Sequence, residues 1–178
     1  MMTTITPEGR MVTGLFNDRE TAERAYQSLS ARGYDKDDVN LVMSDDTRKK
    51  HFSTVAGAET ELGTKAAEGA GVGGALGGTV GAVLGAIAAV GTSIAIPGLG
   101  LVIAGPLAAA IAGAGAGGAA GGLVGALVGW GIPEERVKRY ETGIKNGGIL
   151  MGVKSRSDAD ARYFQDEWQK HKAADIYA

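Results

Sequence analysis

The feature that most constrains this chain is an uninterrupted run without charge, from Gly69 to Pro133, in which glycine recurs at a step of four. One series is Gly73, Gly77, Gly81 and Gly85; the other is Gly113, Gly117, Gly121, Gly125 and Gly129. On an α-helix a step of four returns to nearly the same face, so each series describes a smooth groove that another backbone can approach closely. The 65-residue window holds 21 glycines and 17 alanines, which leaves few side chains long enough to build an ordinary core. A collagen-like reading fails because the period is four rather than three and proline is scarce.

The two flanks are of a different kind, and nearly all of the charge lies in them. Met11 to Phe16 is short and rich in β-formers, and Asn17 with Glu20 three residues on has the form of a capping box. Ala22, Ala25, Tyr26 and Leu29 make one helical stripe, Gly33 supplies a left-handed stop, and Val39 to Met43 reads as a second strand. Residues 44–64 show no sustained period and read as a linker, helical only near Glu59. After the uncharged block, Pro133-Glu134-Glu135 starts a helix whose apolar stripe is Val137, Tyr140 and Ile144, and Asn146-Gly147-Gly148 ends it. Ile149 to Ser155 reads as a strand, and Ser157 with Asp160 caps a last helix with Ala161, Phe164 and Trp168 inward.

A weak repeat at an offset of 138 residues relates the flanks: Val12-Thr13-Gly14-Leu15 aligns with Leu150-Met151-Gly152-Val153. Neither a βαβ nor an αβα flank covers its own strands, so the two are expected to fold together. The expected fold is α+β: a small α/β sandwich built from residues 10–64 and 132–178, interrupted over 65–131 by a long glycine-zipper helical hairpin. Its first arm is expected over 65–96, its turn at Pro97-Gly98-Leu99-Gly100, and its second arm from Leu101 or Pro106 to Gly129.

Each arm exceeds the roughly 20 residues that cross a bilayer core. Arg48, Lys49, Lys50 and Lys65 precede the hairpin, Arg136, Lys138 and Arg139 follow it, and the turn is uncharged. That asymmetry fits a hairpin entering from the cytoplasm, with these cations near anionic lipid head groups and only the turn on the far side. Against insertion stand the weak hydrophobicity of glycine and alanine and the absence of an aromatic belt at the turn. The alternatives are a soluble, cytoplasmic homo-oligomer with hairpins packed as a common core, or a membrane-anchored module that binds a ligand or protein.

Chemistry-bearing patterns are sparse. Gly69-Gly71-Gly74 and Gly113-Gly115-Gly118 match G-x-G-x-x-G, but neither follows a strand nor precedes an acid at the required distance. His51 and His171 have no ligand set at helical spacing, and Asp35, Asp37, Asp38, Asp45 and Asp46 lack the glycine and closing glutamate of a calcium loop. No metal or cofactor is expected, no nucleophile–base pair is visible, and the chain is expected not to be an enzyme. A net charge of −2 gives no sign of a nucleic-acid partner. The expected partners are a second copy of the chain and membrane lipid; no small-molecule ligand can be named. Cysteine is absent, which removes disulfides and thiolate ligands. The first ten residues have no apolar core, so no signal peptide is expected.

Val12-Thr13-Gly14-Leu15-Phe16 with its capped helix, and above all Gly131-Ile132-Pro133-Glu134-Glu135 through Tyr140-Glu141 to Gly147-Gly148-Ile149-Leu150, resemble the bacterial general stress proteins of the seventeen-M type. The resemblance covers roughly 11–45 and 129–170. It implies a stress-induced, non-catalytic protein whose small α/β domain is interrupted by a glycine-zipper segment, and it carries no catalytic or binding residues over.

Overall fold

The computed structural model describes residues 9–56, 94–96, 100–113, 124–125, 127–128 and 131–178. Among them are the strands β1 (Met11–Phe16), β2 (Val39–Ser44), β3 (Ile94–Ile96), β4 (Leu101–Ala104), β5 (Ile149–Lys154) and β6 (Ala174–Tyr177). The helices are α1 (Arg19–Ser30), α2 (Asp45–Ala56), α3 (Pro106–Gly113), α4 (Glu134–Lys145) and α5 (Asp158–Lys170). The fold is α+β, around one antiparallel sheet in the order β3-β4-β2-β5-β1-β6.

Both flanks contribute to the middle of that sheet. β1 pairs with β5 over its full length, Met11 opposite Lys154 and Phe16 opposite Ile149, and β5 also pairs with β2. Since β1 and β2 both run antiparallel to β5, they are parallel to each other, so the β1-α1-β2 unit is split by β5. In the same way β5-α5-β6 is split by β1. The two interlocked units are those that the 138-residue repeat relates, an arrangement of the split βαβ kind.

Alternation along the strands puts apolar side chains on both faces. One face carries Val12, Phe16, Leu41, Met43, Ile149, Met151 and Val153 under α1 and α5, with Trp168 and Phe164 filling the layer. Gly14 makes room for Trp168, because a Cβ there would lie 2.8 Å from the indole Cε3. The other face carries Leu15, Val42, Ile103 and Leu150 beneath α4, α3, Leu127 and Ile132. Here α4 comes down closely onto β1: a Cβ at Gly143 would lie 2.1 Å from Leu15 Cδ2. Tyr140 reaches through this layer, its hydroxyl donating to the Asp175 carbonyl at 2.7 Å and bonding Thr13 Oγ1 at 2.8 Å. Burial raises its pKa above that of a free phenol.

The apolar stripes of α1, α4 and α5 are buried as expected, and Ser157 caps α5 by accepting from the Asp160 N–H. Other expectations are corrected. The cap of α1 is Asp18 rather than Asn17, its carboxylate accepting from the Thr21 N–H at 2.8 Å, where a negative charge also suits the helix end. Residues 45–56 form α2 instead of a linker. Its period is weak because few of the side chains of residues 45–52 turn inward; Ser44 caps it through the Thr47 N–H, and Phe52 anchors it under the Arg19 guanidinium, 5.2 Å away. The C-terminal flank ends in β6, a short edge strand with a register shift and only half-buried side chains, too irregular for a clear alternation.

The largest correction falls inside the uncharged block. Residues 94–96, expected to finish a helix, and 101–104, expected to be turn or helix, are paired strands. β3 pairs with β4, and β4 adds to β2 with Val42 opposite Ile103. Two runs rich in β-branched residues on either side of Pro97-Gly98 carry this signal, which the four-residue glycine period around them masks. The strands on either side of the turn expected at the far end of the hairpin therefore belong to the sheet of the flanks; residues 97–99 of that turn lie outside the described residues.

Candidate functional site

Two regions are candidates: the surface where the uncharged block meets the sheet, and a polar depression at one end of the sheet. The first is built on α3. Pro106 opens this helix, one of the two starts expected, and Asn40 on β2 caps it from across the fold. Its Oδ1 accepts from the Leu107 N–H at 2.7 Å, and its Nδ2 donates to the Gly152 carbonyl at 3.3 Å. Asn40 is buried, so both of its bonds replace water that it has lost. Gly105, just before α3, has φ +99°, and a Cβ on it would lie 2.3 Å from the Val39 carbonyl oxygen. Leu107 and Ala108 then pack into the core.

Further on, Val124 and Leu127 turn toward the same core, Leu127 completely buried. Gly125 and Val128, one helical step of three apart, turn away from it. A Cβ at Gly125 would meet nothing within 4 Å among the described residues, and Val128 is a large apolar side chain left exposed. Of the other expected packing glycines, Gly113 is the last residue of α3. Gly73, Gly77, Gly81, Gly85, Gly117, Gly121 and Gly129 lie outside the described residues, as do the first G-x-G-x-x-G match and the rest of the second beyond Gly113.

The cations expected at lipid head groups are carried on helices that cover opposite faces of the sheet, α2 on one and α4 on the other. Arg48 and Lys49 both pair with Asp45, whose carboxyl is held below its usual range by Lys49 and Arg48 together. Lys138 pairs with Glu134 and Arg139 with Asp175. Arg136 lies over the Tyr177 ring at 5.1 Å and donates to the Ile176 carbonyl. Lys65 lies outside the described residues. Only Lys50 of this set is exposed and without an ion pair among the described residues.

No group of three or more acidic or histidine side chains fit to hold a metal occurs among the described residues. Asp35 and Asp38 accept backbone N–H groups of their own turn, Asp38 also pairs with Arg156, and Asp37 pairs with Lys36. Phe164 lies in the core as expected, and Tyr163 packs at its rim beneath Arg32 at 4.1 Å. His171 is the C-cap of α5.

The second region is a depression of about 550 Å³ at the sheet end where β1 and β2 finish and β4 and β5 begin. The start of α2 forms one wall, through Ser44, Asp46, Thr47, Lys50 and His51. The end of α4 forms another, through Lys145, Asn146 and Gly147, and Asn17, Gly100 and Leu101 complete the lining among the described residues. The Asp45 N–H bonds to the Gly100 carbonyl at 2.8 Å and ties these parts together. Lys145 goes unmarked in the sequence and Asn146 reads only as part of a helix stop, since 95 residues separate Lys145 from Lys50 and no spacing rule connects them.

Comparison with protein-family models, curated proteins and solved structures finds no match to this chain.

Proposed function

We propose that this is a non-catalytic, stress-associated protein that assembles with copies of itself through its glycine-rich segments, the α/β sheet serving as their fixed platform. The observation that carries this reading is the orientation at residues 124–125 and 127–128: Gly125 of the second glycine series turns outward with Val128 beside it, while Leu127 anchors the same stretch to the core. A smooth face with no contact among the described residues suits close backbone approach by another protomer.

Chain length favours a soluble assembly over a hairpin that spans a bilayer. Thirty-seven residues separate α2 from β3, and ten separate α3 from Val124, with both ends of each stretch held at the same sheet. Leaving and returning through a bilayer takes about 40 residues in two crossings. Among the described residues no helix is long and apolar enough to cross a membrane. A second reading rests on residues 69–93, uncharged and 25 long, which suffice for a segment that enters a membrane and returns without crossing it.

Sedimentation of protein prepared without detergent tests the proposal. A homogeneous homo-oligomer, with no lipid copurifying and no retention on membranes after an alkaline carbonate wash, is the expected result. A monomer would overturn self-assembly; retention that only detergent relieves would replace the soluble reading with the second one.

A further inference from the structure

We propose that the depression between the start of α2 and the end of α4 binds a small phosphate monoester, a role separate from self-association. Its volume of about 550 Å³ lies within the range of small-ligand sites. Lys50 and Lys145 reach it from helices on opposite faces of the sheet, and neither has an ion pair among the described residues. The other cations near it, Arg48 and Lys49, are already engaged by Asp45. An anion seated in a depression lined by Lys50 and Lys145 is attracted by both, and charge-assisted hydrogen bonds to it are stronger than neutral ones.

The uncharged lining fits the same ligand. Asn17 and Asn146 line the depression, and their side-chain amides have no hydrogen-bond partner among the described residues, so their donors are open to phosphate oxygens. The helix end contributes little by itself, because the Asp45 and Thr47 N–H groups are taken by the Gly100 carbonyl and Ser44 Oγ. Asp46 lines the same space and disfavours a highly charged ligand such as a polyphosphate. A carboxylate accepts hydrogen bonds from hydroxyl groups, so Asp46 selects an ester with a free hydroxyl next to its phosphate group.

The experiment is phosphorus NMR of glycerol 3-phosphate, and of inorganic phosphate, titrated with the full chain. Saturable line broadening is expected, with affinity lowered about tenfold by Lys50→Gln and by Lys145→Gln, each the loss of one charge-assisted hydrogen bond. Lys154→Gln, an exposed lysine at the opposite end of β5, should leave it unchanged. Asp46→Asn should lower the ratio of glycerol-ester affinity to inorganic-phosphate affinity, because it removes a like charge for both ligands and the carboxylate acceptor for the ester's hydroxyl alone. All four side chains are exposed, so the variants keep the fold. Absence of saturation, equal losses with Lys154→Gln, or no loss with the two lining lysines would overturn the proposal. Flotation with vesicles containing lysophosphatidic acid, whose 2-hydroxyl is free beside its phosphate, competed by the free ester, would identify the monoester as a lipid head group; binding of the free ester without flotation would identify it as soluble.

Discussion

Gly105 and Gly125 stand in the same uncharged block, twenty residues apart, and do opposite things. At Gly105 an added Cβ would lie 2.3 Å from the Val39 carbonyl; at Gly125 it would meet nothing among the described residues. The first glycine lets the block lie down on the sheet, and the second belongs to a face that the described residues leave open. A glycine-rich composition thus merges two roles that only the position of each residue against the sheet separates. The same distinction runs through the folded domain, where Gly14 and Gly143 are also sites of close approach, one to Trp168 and the other to Leu15.

Substitution at Gly105 should have the largest effect. Gly105→Ala places a side chain at φ +99° and against the Val39 carbonyl, and should lower stability by about 3 kcal/mol, read as a drop in the denaturant midpoint. A variant that melts like the parent would mean that α3 is not seated on β2 in solution. Asn40→Ala sharpens the point from the other side of the contact. It strips the cap from α3 and leaves the Gly152 carbonyl without its side-chain donor, so a loss of about 1–2 kcal/mol is expected, measured in the same way. If the two substitutions act on one contact, the double variant should lose less than the sum of the two.

The flanks were readable because their signals are local and redundant. Stripes such as Val137, Tyr140 and Ile144 state a helix and its buried face together, and the offset repeat anticipates that two similar units share a sheet. The block was harder. Its glycine period overlies the β-branched runs of β3 and β4, whose strand character is realised only by pairing with β2, a contact distant in sequence. Asn40 looks like any polar residue in a strand until α3 arrives at it. For the depression, Lys50 carried a signal as part of a basic run, whereas Lys145 and Asn146 acquire their place through the sheet order alone. Chemistry assembled by topology leaves no spacing to read.

The contrast between the two glycines is tested most directly by Gly125→Leu, followed by sedimentation mass and thermal melting on the same sample. Leucine at an open position should leave the domain's melting unchanged while the particle loses mass or changes subunit number, because the new side chain intrudes only where another protomer approaches. A particle of unchanged mass, or a fall in melting comparable to that of Gly105→Ala, would contradict the assignment of this glycine face to assembly.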